Sequence, residues 1–334
     1  MSSSAAAREL VAVAARGLDA AALRAAVVGP LRRLTGAGPV FVASADPVTW
    51  LLTGGLPADV PADAARALMA REYADSDVIT FRGLAGAQVP VANLYDRADS
   101  PAHSARWRDV LEPLGWGDEL RAAVRDRTGT WGFLCLHRIA GEQPFSPADR
   151  AAVAGVLPLL AAAFRRTSVA ATALSANASA PGVLLIDGDD QPVGSTGPAA
   201  QLVDEIGTTD GLPLPVLSVV RSLRSTGVVT TVRLRSRAGR WLTVHAAFVE
   251  GTDQVAVVIE PAHPHDVLPV LAAALELTSR EAEVAAALLR GESSRLIARR
   301  LCIAEATVNV HLRSVFAKAG VHSRGELIAR TLAG

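Results

Sequence analysis

The chain has 334 residues, half of them hydrophobic, and its 33 basic and 33 acidic side chains cancel to a formal net charge of zero at pH 7. That length gives room for two or three domains, each with a sizeable core. Its two cysteines, Cys135 and Cys302, stand far apart, which argues against a disulfide framework or a zinc cluster and fits a reducing, cytoplasmic setting. Lys318 is the only lysine, so no P-loop can be built. Residues 1–18 make a poor signal peptide, with Arg8, Glu9 and Arg16 among alanines. The apolar run Ala151 to Phe164 is too short to span a bilayer. The uncharged run Thr167 to Ile186 is long enough but rich in Ser, Thr, Asn and Gly. The expectation is a soluble protein with no membrane partner.

From the N-terminus, residues 5–34 read as Ala-rich helix. Asp19 is a candidate cap, Leu23, Val27, Leu31 and Leu34 form a stripe, and Gly29-Pro30 marks a bend. Strands are expected at Val40 to Ser44, Val48 to Thr53 and Gln88 to Ala92, and helices at Ala62 to Tyr73 and Ser104 to Leu111. Glu119 to Arg125 and Thr130 to Arg138 alternate like paired strands around a turn at 126–129. Ser146-Pro147 opens a helix with Pro at its first position and a stripe of Val153, Val156, Leu157, Leu160 and Phe164. Helices, a meander and a closing helix imply an α+β sheet domain over 1–166. Gly132 to Leu136 (G-x-L-x-L) and Phe145 to Asp149 (F-S-x-x-D) make its second half resemble a GAF domain. That resemblance implies a small-molecule pocket between sheet and helices, with Trp50, Trp107, Trp131 and Phe133 as candidate walls and Trp116 a further tryptophan. The bland alternative is that these rings fill a solid core and the domain only pairs with a copy of itself.

Residues 167–180 read as a linker or an extension of the preceding helix. From 181 to 262 the pattern is a strand at Val183 to Ile186, a turn at 187–191, and short helices at Pro198 to Ile206 and Pro215 to Arg224. Three strands follow at Val228 to Ser236, Arg240 to Glu250 and Gln254 to Glu260. This α+β segment resembles a PAS domain, with Gly239-Arg240-Trp241-Leu242 fitting its pattern. His245 sits mid-strand, where a histidine is far more often packed than ligating. His263 and His265 lie among Pro261 and Pro264, which mark a linker, so they read as linker residues over 263–276, not zinc ligands. No metal or cofactor is expected.

The last segment, 277–334, reads as four short helices. Thr278 and Glu281 form a capping box. Val284, Ala285, Leu288 and Leu289 follow at helical spacing and Gly291 stops the helix. Ser293 or Ser294 caps the second helix. In the third, Glu305 to Ala319, the stripe Val308, Leu312, Val315 and Phe316 faces inward, and Asn309, Val310 and Arg313 point away. An Asn can pair with adenine, an Arg with guanine, and a Val can touch a thymine methyl. From Ser293 onward seven bases face two acids, the local positive charge that phosphates require. The runs Leu277 to Val284, Ile297 to Leu301, Thr307 to His311 and Lys318 to Arg324 closely resemble the LuxR-type helix-turn-helix domain. This implies an all-α domain that binds double-stranded DNA as a homodimer pairing through the fourth helix, Ser323 to Leu332. Asn309, Val310 and Arg313 would contact bases, and Thr307, His311, Arg299, Lys318 and Arg324 phosphates. Asn309 stands where many relatives have Lys, so base preference cannot be carried over. Ala304 leaves the third helix without a side-chain cap, worth about 1 kcal/mol.

The sequence therefore points to a transcription regulator, not an enzyme: it has no nucleophile elbow, metal cluster or P-loop. Receiver domains, often fused to LuxR-type helices, use a lysine beside the phosphoacceptor, and none precedes Lys318. Regulation is thus expected through a small-molecule effector or through pairing of the upstream domains. A dimerisation scaffold carrying a DNA-binding head, with no ligand, is the competing expectation.

Overall fold

The computed structural model describes residues 3–73, 77–97, 100–169, 180–207 and 211–332. They fall into two compact units, 1–167 with 213–230, and 168–212 with 231–334. In the first unit, helices α1 (Ser3–Ala15) and α2 (Ala20–Thr35) precede strands β1 (Val40–Ala45) and β2 (Leu52–Ala58). Helices α3 (Ala62–Glu72) and α4 (Phe81–Gly86), strand β3 (Val91–Asn93) and the single turn α5 (Leu94–Arg97) follow. A π-helical turn at Trp107–Leu111 leads into the long hairpin β4 (Trp116–Asp126) and β5 (Gly129–Ile139), and α6 (Pro147–Val169) closes the run. The sheet is antiparallel, in the order β2-β1-β5-β4-β3.

Strand β2 begins four residues later than expected. The Asp46 carboxylate accepts the Val48 amide at 2.9 Å, and Trp50 N donates to Asp46 O at 2.8 Å, so Asp46-Pro47 folds as a turn instead. Trp50 closes that turn at φ 61°, a strained conformation for so bulky a side chain. β2 then runs through Gly54-Gly55, which broke the expected pattern. A Cβ on Gly55 would lie 2.7 Å from Leu214 and 2.8 Å from Phe41, so the strand needs a bare position there. Helix α6 continues beyond the apolar run recognised in the sequence, to Val169. It is long and apolar enough to cross a membrane by length and composition, yet it buries Val153, Val156, Leu157, Leu160 and Phe164 inside the unit. The rest of the expected linker, residues 170–179, lies outside the described residues.

The second unit repeats the strand order of the first. Its sheet comprises β6 (Gly182–Ile186), β7 (Pro192–Ser195), β8 (Thr231–Arg235), β9 (Trp241–Phe248) and β10 (Val255–Pro261), ordered β7-β6-β10-β9-β8. Helix α7 (Gly197–Ile206) packs so closely on β6 that a Cβ on Gly182 would meet Ala199 Cα at 2.4 Å. The sequence missed β7, a short exposed edge opened by Pro192. It also began β8 too early, at Val228 and Val229, which are exposed and lie outside the strand.

Helix α8 (Leu214–Thr226) corrects the expected division more sharply. In sequence it belongs to the segment 181–262. In space it joins the first unit, where it lies on β2 and Leu214 packs against the first sheet's core.

The second unit ends in helices. The stretch expected as a linker helix from Asp266 is α9 (Pro264–Ala274), with Pro264 at its first position and the Asp266 carboxylate accepting His263 N at 3.2 Å. Then come α10 (Ser279–Leu289), α11 (Ser294–Arg300), α12 (Glu305–Ala319) and α13 (Arg324–Leu332). Their common core gathers Val284, Leu288, Ile297, Val308, Leu312, Val315 and Leu327.

Candidate nucleic-acid interface

The C-terminal bundle begins with the anticipated capping box. Glu281 N donates to Thr278 Oγ1 at 3.3 Å, and Thr278 N donates back to Glu281 Oε2 at 2.7 Å. Ser293, not Ser294, caps α11, accepting Leu296 N at 3.3 Å. Cys302 makes the turn into α12 at φ 52°. Gly320, at φ 62°, ends α12 in the left-handed region. As anticipated, Ala304 gives α12 no side-chain cap.

On α12 the two faces separate as the spacing demands. Val308, Leu312 and Val315 of the expected stripe are buried, together with Ala319, while Phe316 is half-buried against the same core. Asn309, Val310 and Arg313 are exposed, and Val310 keeps 53% of its surface open, a large apolar side chain left in solvent on an otherwise polar face. Thr307 is exposed and His311 half-buried. A shallow depression beside the helix is lined by Ala306, Asn309, Leu312, Arg313, Phe316 and Arg324.

The basic residues divide in a way the sequence did not reveal. Arg295, Arg299 and Arg313 are exposed and, among the described residues, their side chains make no hydrogen bond or ion pair. Lys318 is engaged internally. Its ammonium lies 2.6 Å from Glu281 Oε2 and 2.9 Å from the Glu276 carbonyl. Arg324 is also engaged internally, donating to Ser294 Oγ and, at 3.4 Å, to the Glu292 carbonyl. Arg300 pairs with Glu292 at 2.9 Å. The helical rule places a base at a position but does not say which neighbour its long side chain reaches.

Glu281 is the centre of this internal wiring. It is 6% exposed and also accepts Ser314 Oγ at 2.5 Å, so α10 holds α12 through two of its residues. Burial alone would raise its carboxyl. The bonds from Lys318, Ser314 and Thr278 outweigh that and hold it down at about 2.

The candidate effector walls in the first unit separate too. Trp50, Trp107 and Phe133 gather around one core, but Trp131 is not part of it. Trp131 is fully buried with its indole N–H on Thr128 Oγ1 at 2.9 Å, and Phe133 stacks on Phe81 at 4.3 Å between centroids. Neither offers an open ring face. Trp107 is half-buried, and among the described residues its buried indole nitrogen has no acceptor. Beside the Phe81–Phe133 pair lies a buried charge cluster the sequence reading overlooked. Arg106 Nε donates to Glu119 at 2.9 Å, Arg121 pairs with Glu72 and covers the Phe81 ring at 3.9 Å, and both guanidinium groups donate to the Ile79 carbonyl. His137 Nε2 lies 3.5 Å from Glu119. Burial opposes the Glu119 charge, but Arg106 and Arg121 hold its carboxyl well below the usual carboxylate range. The signal was available: Glu119 and Arg121 sit opposite His137 and Cys135 across the hairpin, on the face that carries Phe133.

The candidate histidines are placed without converging. His245 lies half-buried on β9, opposite Thr231 and Val258, and His263 stacks on His265 at 5.5 Å. Among the described residues no group of three or more His, Cys, Asp or Glu is placed to hold a metal.

Comparison with known proteins agrees with the geometry at this end of the chain. Residues 275–331 match the family described as bacterial regulatory proteins, luxR family. A monoamine regulon transcriptional regulator from Klebsiella aerogenes is 47% identical over 55 residues, 16% of this chain and 24% of that protein. The chain thus spans about a quarter of the curated relative it matches. Among solved structures, the phycoerythrobilin-bound GAF domain of a cyanobacterial phytochrome aligns with 50% of this chain and 96% of its own, at 15% identity and a TM-score of 0.33. Escherichia coli SdiA aligns with 98% and 95%, at 13% identity and 0.37. Two antiparallel sheet domains precede a C-terminal bundle, and that bundle, over residues 275–331, is a helix-turn-helix domain of the LuxR family.

Proposed function

We propose that this protein is a cytoplasmic transcription regulator that binds double-stranded DNA as a homodimer and reads the major groove with α12. The exposed row Asn309, Val310 and Arg313 carries this reading, set against a buried row on the same helix. These side chains supply an amide, a methyl-sized apolar contact and a guanidinium fork, three of the groups that distinguish base edges. Arg295 and Arg299 on α11, with Thr307 and His311 flanking the row, are the phosphate contacts that fix the helix in register. Lys318 and Arg324 serve instead as internal struts. One module reads too few base pairs for a genome-sized search, which is the argument for a dimer on two half-sites. Binding-site selection with purified full-length protein tests the proposal. A repeated motif with a fixed half-site spacing supports it, and the absence of any enriched sequence rejects it.

Control by the upstream domains follows ordinary linkage: whatever favours the dimer geometry that fits the operator raises DNA affinity. Two observations favour different forms of that control. The half-buried Trp50 and Trp107, with the unanswered Trp107 N–H, favour a small apolar effector carrying a hydrogen-bond acceptor. The filled core around Phe81, Phe133 and the Arg106–Glu119–Arg121 cluster favours a scaffold that only dimerises. A thermal-shift screen of the full-length protein against metabolites separates them, because a ligand of the folded state raises the melting temperature with concentration.

A further inference from the structure

We infer that Ser294 and Arg324 fix the base preference of Asn309 by holding its amide oxygen, so that Asn309 offers DNA its N–H donors. The inference rests on the major-groove reading above and deepens it. Ser294 Oγ lies 2.9 Å from Asn309 Oδ1, and Arg324 donates to the same hydroxyl. A serine hydroxyl has one proton and two lone pairs, whereas a guanidinium can only donate. Arg324 therefore takes a lone pair, and the proton is left for Asn309, whose oxygen is the group able to accept it. Arg324 is itself steadied by the Glu292 carbonyl at 3.4 Å. The chain Arg324 to Ser294 to Asn309 thus runs in one direction and sets which end of the amide is occupied.

The consequence for recognition is chemical. Pairing with adenine uses both ends of an Asn amide, the nitrogen donating to N7 and the oxygen accepting from the N6 amino group. Here the Ser294 hydroxyl takes one of the two Oδ1 lone pairs, so an adenine amino group has only the other to reach. The N–H groups are unobstructed, and they match edges rich in acceptors: guanine with N7 and O6, or thymine with O4. Cytosine presents an amino donor and is disfavoured. Asn309 is thereby biased away from adenine and towards guanine or thymine. Ser294 and Arg324 are its positioning residues.

Selection on a randomised duplex library, with full-length protein throughout, tests this. Asn309→Ala identifies the base position that depends on Asn309, as the position whose preference is lost. In the wild type that position should hold G or T. Ser294→Ala should admit A there, raising it about tenfold relative to G and T, the scale of one well-made base contact. Ser294→Thr keeps a hydroxyl and should keep the wild-type preference. Arg324→Met should loosen the same position without changing the salt dependence of binding. The inference is overturned if the wild type selects A at that position, or if Ser294→Ala and Ser294→Thr select alike. It is also overturned if Ser294→Ala only weakens binding uniformly, or if Arg324→Met lowers the salt slope, which would mark a phosphate contact. The underlying reading fails separately: no motif at all rejects sequence-specific DNA binding, and an Asn309→Ala motif identical to wild type rejects Asn309 as a base contact.

Discussion

Replacing Glu281 with Ala should loosen the recognition helix without touching its exposed face. Three interactions with one buried carboxylate are lost together: the capping bond to Thr278 N, the bond from Ser314 and the Lys318 ion pair. Half of a capping box is worth about 0.5–1 kcal/mol. A hydrogen bond to a charged, buried acceptor contributes about 1.5–3 kcal/mol. The Lys318 side chain is 32% exposed, so its pair is screened and adds less than about 1 kcal/mol. Relief of the carboxylate's desolvation offsets part of the sum, leaving a net loss of about 2–3 kcal/mol. All five tryptophans precede residue 242, so fluorescence does not report on this domain. Far-UV circular dichroism through a urea titration does. A double-mutant cycle with Lys318→Met should give a coupling below about 1 kcal/mol. The pH dependence has a definite sign. The folded carboxyl is held near 2, below its unfolded value of about 4.3, so the stabilisation is full above pH ~4.5 and is lost as pH falls through 2. The stability gap between wild type and Glu281→Gln should therefore narrow between pH 5 and 2. A gap below about 0.5 kcal/mol at pH 7, or one that widens in acid, would refute the account of this knot.

Further outcomes follow from the same geometry. Arg313→Ala should cost about 1–3 kcal/mol of specific binding and relax preference at one base position, read by competition against mutated duplexes. Arg299→Ala should weaken all sequences alike and reduce the salt slope by about one, whereas Lys318→Met should leave that slope unchanged; a fall in the Lys318→Met slope would return the lysine to the phosphates. Gly132→Ala should destabilise the first unit more than Gly55→Ala. The added Cβ would meet the fixed Ala43 carbonyl oxygen at 2.3 Å, whereas at Gly55 the nearest atom is the movable end of Leu214; equal melting temperatures would contradict this. Glu119→Gln should cost about 1–3 kcal/mol, because Arg106 and Arg121 lose the counter-charge they share but keep Asp77 and Glu72, measured by tryptophan fluorescence in urea.

The sequence was most legible where local chemistry sets the structure. The capping box of Thr278 and Glu281, the stop at Gly320 and the two stripes of α12 follow from spacing alone, and the structure places them accordingly. It was least legible where side chains choose distant partners. Nothing local tells Lys318 to cross to Glu281, Arg324 to reach Ser294, or Glu119 and Arg121 to face inward beside Phe133. Chain order also misassigned α8, because an amphipathic helix packs on whichever apolar surface receives it. Its Leu214 fills the space left bare by Gly55, more than 150 residues earlier in the chain.

In the proposed complex α12 enters the major groove and Arg313 meets a guanine there. Methylation interference measures this directly, because dimethyl sulphate modifies guanine N7 in the major groove and adenine N3 in the minor groove. On a selected duplex, full-length protein should be blocked by N7 methylation of one guanine in each half-site, and Arg313→Ala should become insensitive to that guanine. Interference confined to adenine N3, or a guanine pattern unchanged by Arg313→Ala, would contradict the account.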